Sequence, residues 1–186
     1  MPRLAENNLD IKNLDAYDGG MSPAQEDDVD RLIAAWRHER PDMDVSPMQV
    51  LSRVTRLALH LDRARKQAFA DHDLESSEFD VLSALRRAGK PYQLSPGQLV
   101  QETLVTSGTM TNRVDRLVSK GLVERLPDPA DRRGVQVRLT APGRVAVDGA
   151  IDSLLEHEHE LLASLSSDEA KTLADSLRTL SRPFDH

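Results

Sequence analysis

The 186-residue sequence contains no cysteine. Disulfides, thiolate nucleophiles, Cys-ligated zinc and thiol-based redox sensing are therefore excluded. Aromatic residues make up only 3 % of the chain. A core without them must rest on Leu, Val and Ala, which favours packed helices over a sandwich or barrel. No apolar run approaches the ~20 residues of a spanning helix, and the N-terminal MPRLAE has no apolar segment of the secretory kind. These absences predict a cytoplasmic protein without a membrane partner. Also missing are a glycine-rich phosphate loop, a nucleophile elbow and a converging carboxylate pair. No catalytic residue and no cofactor are expected, so an enzyme is the disfavoured class.

Positive charge is in deficit overall, with 24 Lys and Arg against 31 Asp and Glu. It is also uneven. Residues 1–30 hold two bases and eight acids, and residues 151–186 hold three bases and eight acids. Residues 95–145 reverse the sign, with eight bases against five acids. A basic zone inside an acidic chain is the electrostatic footprint expected of a nucleic-acid face.

The pattern of apolar residues predicts seven helices and a hairpin. Residues 1–24 show no periodicity and read as a mobile tail. A helix over 26–40 carries Val29, Leu32, Ile33 and Trp36 on one face, and Pro41 ends it. Ser46-Pro47 opens a long helix to about Ala70 with Val50, Val54, Leu57, Leu61, Ala64 and Ala68 in one stripe. Ser76 or Ser77 caps a third, with Phe79, Leu82 and Leu85 inward and Gly89 at its end. Ser95-Pro96 opens a short helix. Thr106 or Ser107 opens the next, with Met110, Val114, Leu117 and Val118 inward and Gly121 after it. Strands are expected over 122–126 and 135–139, the second from the alternation of Val135, Val137 and Leu139 with Gln136 and Arg138. Thr140 caps a long helix and Ser166 or Ser167 a final one bearing Leu173, Leu177 and Leu180.

Helix, short helix, helix and hairpin in this order make a winged helix-turn-helix. The expected fold class is mainly α with a small β-hairpin wing. The second helix of the pair, over 106–120, would enter a major groove of double-stranded DNA. Its outward residues Ser107, Thr109, Thr111, Asn112 and Arg116 would meet phosphates and base edges. Arg132 and Arg133 crowd the hairpin tip and would reach phosphates or a narrow minor groove. Asp131 would pair with one of them and fix the tip. The domain reading is a DNA-binding segment over 76–140, flanked by dimerisation helices over 25–75 and 141–186.

DRRGVQVRLT, residues 131–140, resembles the wing signature of the MarR regulators, and residues 104–140 are similar throughout to their recognition helix and wing. The resemblance extends over about 46–180. It implies a homodimeric DNA-binding transcription factor, usually a repressor released from a pseudo-palindromic operator by a small ligand. A narrower resemblance concerns the urate-responsive branch, which has an additional N-terminal helix bearing a tryptophan. On this sequence that branch implies a ligand site of Trp36, Asp80, Arg113 and Arg125. Regulators with the same framework answer to citrate-like tricarboxylates, so the ligand is left as a small anion: urate, a tricarboxylate or another aromatic acid. The chemistry of the residues agrees, since two guanidiniums hold carboxylates through bidentate bonds and an indole covers a ring face.

Two further signals are weaker. His157 and His159 lie about 200° apart around a helix and do not converge on one ion, so no metal site is expected. His60 would sit on the long second helix, where a pH-sensing role competes with an ordinary surface one. The rival to a DNA-binding regulator is a winged-helix module that binds protein, and a steep salt dependence of DNA binding separates the two.

Overall fold

The computed structural model describes residues 26–103, 106–129 and 134–184. The expected tail lies outside them, as do Asp131, Arg132 and Arg133 of the wing tip. The chain divides into two compact units, Met1–Leu61 and Asp62–His186. In order, the elements are α1 (Asp28–Glu39), α2 (Met48–Ala70), α3 (Ser76–Arg87), β1 (Gln93–Leu94), α4 (Pro96–Thr103), α5 (Ser107–Ser119), β2 (Val123–Pro127), β3 (Val135–Leu139), α6 (Ala141–Leu162) and α7 (Ser167–Ser181). A 3₁₀ turn, Arg182–Phe184, follows. The fold is mainly helical with a small wing, as the sequence pattern predicts.

In the first unit α1 starts on a capping box. The Asp27 carboxylate accepts from the Val29 and Asp30 N–H groups at 2.8 and 3.0 Å, and Asp30 accepts from the Asp27 N–H at 3.0 Å. Val29 and Ile33 are buried with Val45, while Leu32 and Trp36, placed on the same face by their spacing, are exposed. Arg53 of α2 ties this start down through Asp27 and Asp30, at 2.9 and 2.8 Å. The predicted stripe of α2 stays open at Val50, Val54 and Leu57.

The second unit holds the main core. Leu82 and Leu85 of α3, Leu99 of α4, Met110, Val114 and Leu117 of α5, Val137 of β3 and Val147 of α6 are all buried in it. Phe69 and Phe79 stack with ring centroids 4.0 Å apart. Removing one such Leu side chain costs about 2–5 kcal/mol. The strands form an antiparallel sheet in the order β1-β3-β2, with Arg125 opposite Val137 and Glu124 opposite Arg138. The two-residue β1 was not predicted, because two residues show no period. Two corrections to the expected elements follow. The cap of α3 is Glu75, not Ser76 or Ser77. Val118 faces outward. Of the apolar residues of α6 and α7, Leu155, Leu161, Leu162, Leu173, Leu177 and Leu180 are exposed.

Two glycines position the wing. Gly121, at φ +69°, ends α5 in the left-handed region that glycine adopts without strain and turns the chain into β2. At Gly143 in the first turn of α6, a Cβ would lie 2.0 Å from the Leu122 carbonyl oxygen. Only glycine lets α6 approach the start of the wing so closely.

Candidate nucleic-acid interface

The outward face of α5 is built by its cap and its period. The Thr106 hydroxyl accepts from the Thr109 N–H and starts the helix. Met110, Val114 and Leu117 at steps of four and three then anchor it to the core. Ser107, Thr109, Thr111, Asn112 and Arg116 are all exposed as a result. Thr109 bonds Thr106 side chain to side chain at 2.9 Å, and Thr111 donates to the Ser107 carbonyl at 3.1 Å. The Ser107 hydroxyl and the Asn112 amide have no side-chain hydrogen bond among the described residues, so both are open to a base edge or phosphate.

Arg116 is not idle. Its guanidinium contacts the Glu75 carboxylate and lies 3.5 Å from Glu78 Oε1. The hydrogen bond to Arg116 holds Glu75 below the ordinary carboxylate range, and the same bond holds Arg116 more firmly in its charged form. DNA that engages Arg116 must therefore compete with two carboxylates.

Glu78 was missed by the sequence reading. It is 0 % exposed, the one fully buried charged residue among those described. Its Oε2 accepts from the Glu75 N–H and from Lys120 Nζ, each at 2.9 Å. Lys120 also donates to the Asp73 carbonyl at 2.8 Å. The anion sits at the N-terminus of α3 and the cations in the last turn of α5, where each helix dipole favours them. The signal was present in Glu75-Ser76-Ser77-Glu78, which has capping-box spacing with Glu in place of Ser or Thr.

Asp80 and Arg113 are brought together, with Oδ2 and Nη1 3.6 Å apart. That is an ion pair too long to be a hydrogen bond. Arg113 Nη1 is buried and has no hydrogen-bond partner. Arg125 does not join them: it donates to Asp115 Oδ1 at 2.6 Å. Asp115 lies two residues beyond Arg113, about 200° around α5, so Arg125 serves another side of that helix. Trp36 lies on α1 in the first unit, 43 % exposed.

His157 and His159 each bond a carbonyl of their own helix, Ser153 at 2.8 Å and Leu155 at 2.7 Å. No group of three metal-ligating side chains occurs among the described residues, and no described helix is long and apolar enough to cross a membrane.

A three-helix unit with an exposed polar helix, closed by a two-stranded wing, defines a winged helix-turn-helix DNA-binding domain. A model of the MarR family matches residues 72–134. The chain is 38 % identical over 142 residues to the HTH-type transcriptional regulator PecS of Dickeya dadantii, covering 76 % of this chain and 86 % of PecS. Among solved structures it is similar to a mutant MarR of E. coli complexed with operator DNA. The identity there is 32 % at a TM-score of 0.60, over 74 % of this chain and 99 % of that one. It is also similar to BpsR of Bordetella bronchiseptica, whose DNA binding is regulated by 6-hydroxynicotinic acid. In that case the identity is 28 % and the TM-score 0.58, over 71 % of this chain and 92 % of that one. The chain belongs to the MarR family of DNA-binding transcriptional regulators.

Proposed function

We propose that the protein is a homodimeric repressor that a small anionic ligand releases from its operator, and that the ligand acts by parting Asp80 from Arg113. The observation that carries this reading is the incompletely bonded guanidinium of Arg113. A buried donor left without a partner costs about 1–3 kcal/mol, and a ligand that rearranges the pair recovers part of that. Arg113 belongs to the helix that carries the DNA-facing residues, so a change in its partner shifts that helix. The regulation of BpsR by an aromatic acid supports a ligand of this class. The resemblance to the urate-responsive branch adds Trp36 and Arg125 as ligand residues and keeps urate and tricarboxylates among the candidates. The sequestration of Arg125 by Asp115 makes it the weakest member of that set.

Dimerisation has its own support within each unit. Leu32, Trp36, Val50, Val54 and Leu57 lie exposed in the first, and Leu155, Leu161, Leu173, Leu177 and Leu180 in the second. Apolar rows of this length on helices call for a covering surface. Two recognition helices would then read half-sites about one helical turn of DNA apart. Arg132 and Arg133 are assigned to phosphates or the minor groove, and Asp131 to holding the tip.

The test uses DNA selected by the full chain from a random library. Fluorescence anisotropy on that DNA, titrated with urate, citrate and 6-hydroxynicotinate, should show release by at least one of them. Trp36→Ala should keep DNA affinity and need more ligand for release. Release at unchanged concentration removes Trp36 from the site.

A further inference from the structure

The C-terminal end of α5 and the start of α3 form a cluster of four charges that sum to zero. Arg116 and Lys120 bring two positive charges, and Glu75 and Glu78 bring two negative ones. Arg116 stays half exposed on the outward side of α5. We infer that Glu75 is a specificity-determining positioning residue, which holds Arg116 for the edge of a guanine and bars it from phosphate. The inference concerns DNA reading without ligand. It rests on the assignment of Arg116 to the groove and not on release by an anion.

The competition for Arg116 is unequal between backbone and base. A phosphate binds a guanidinium as an ion, and it would set its full charge against Glu75 and Glu78. A neutral cluster gives it no net attraction. A guanine presents two uncharged acceptors, O6 and N7, in the major groove. The guanidinium has five N–H donors. Both carboxylates make their closest approach at the same nitrogen, Nη2. The donors on the other nitrogens can serve a base edge while Nη2 keeps its partners. A guanidinium already held in place also loses less side-chain freedom when it binds.

The two carboxylates divide the task. Glu78 is fully buried, and its Oε2 is taken by the Glu75 N–H and by Lys120. Its Oε1 has no hydrogen-bond partner and lies 3.5 Å from Arg116 Nη2. This desolvated oxygen cannot turn away, so it keeps a steady pull on the guanidinium. Glu75 closes the cluster on the solvent side, with 60 % of its side chain exposed. An approaching phosphate meets that charge first. Glu75 can also be changed without opening the buried part of the cluster.

Glu75→Gln, Arg116→Gln and the double variant of the full chain test this by fluorescence anisotropy on selected and random DNA across a range of salt. Glu75→Gln keeps the side-chain shape at an exposed position. It should bind random DNA at least about threefold tighter, with a salt slope steeper by about one unit, as Arg116 becomes a phosphate ligand. The ratio of selected to random affinity should fall at least about fivefold. Selection from a random library with Glu75→Gln should lose preference at the same guanine that Arg116→Gln ceases to require. In the Arg116→Gln background, removing the Glu75 charge should shift both DNAs by one common factor and leave the ratio unchanged. An unchanged ratio in Glu75→Gln overturns the proposal. So does an equal fall with and without Arg116, or a preference lost at a different base pair. If Arg116→Gln keeps every base preference, the groove assignment fails and the proposal with it. Ligand release enters none of these readouts, so a protein that ignored every anion could still meet them.

Discussion

The recognition helix α5 meets α3 through two acid–base contacts that differ in how they are bonded. At its C-terminal end Lys120 is hydrogen-bonded to Oε2 of a fully buried Glu78, which also closes the capping box of α3, while Glu78 Oε1 has no hydrogen-bond partner and lies 3.5 Å from Arg116. Further back, Arg113 faces Asp80 at 3.6 Å without a hydrogen bond, and a buried guanidinium nitrogen is left unpaired. The residue types are alike, but their surroundings differ. The first contact is desolvated and bonded, so breaking it is costly and it fixes the helix end. The second pairs a partly exposed Asp80 with a mostly buried Arg113 and has no hydrogen bond, so it is the cheaper of the two to rearrange. A helix fixed at one end and loosely held further back has the mechanical form that a ligand-operated release requires.

The largest test breaks the fixed end. Removing one partner of a buried pair costs about 3–5 kcal/mol. Lys120 keeps 31 % exposure, so Glu78→Ala should cost about 3 kcal/mol, the lower end of that range. Urea denaturation reads it directly. A loss under about 1 kcal/mol, the size of an exposed pair, would erase the contrast between the two contacts. Asp80→Asn attacks the loose contact. Its stability cost should be smaller than that of Glu78→Ala, because Asp80 is itself 43 % exposed, while the ligand response disappears. Equal stability losses in both variants would show that the two contacts are alike.

The wing offers a smaller effect at a third place. Arg133→Ala should weaken binding to all DNA sequences alike and reduce the salt slope by about one unit. Arg116→Ala, on the groove-facing helix, should relax base preference instead. Identical losses on selected and random DNA for both variants would refute that division. The smallest effect is the pH response of Glu75. Its folded-state value is depressed by the hydrogen bond to Arg116. Its stabilisation is therefore complete above the unfolded value of about 4.3 and fades as pH falls through the lower folded one. Wild type should lose this increment below about pH 4.3, and Arg116→Gln should lack it throughout. Denaturant midpoints between pH 6 and 3 compare the two.

Much of this architecture was legible because it rests on local chemistry. Thr106 and Thr140 cap α5 and α6, Gly121 ends α5, and the alternation from Val135 to Leu139 forms β3. The Asp80–Arg113 contact came from the resemblance, and the structure brings those two residues together. What escaped was set by partners distant in sequence. Glu78 reads as a surface acid until Lys120 arrives from 42 residues away to neutralise it. Arg125 had been assigned beside Arg113, but nothing in β2 says to which side of α5 its guanidinium turns, and Asp115 takes it. The open rows on α2 and α7 follow from sequence as amphipathic stripes, but their cover is not within the described residues.

The central claim is that the loose contact couples ligand to DNA. The direct measurement is that coupling itself, taken in both directions with 6-hydroxynicotinate, urate and citrate: DNA affinity with and without ligand, and ligand affinity with and without DNA. The account predicts the same factor both ways in wild type, about 5–150-fold, for the ligand that binds tightest, and a factor near one in Asp80→Asn. An undiminished factor in Asp80→Asn would contradict it.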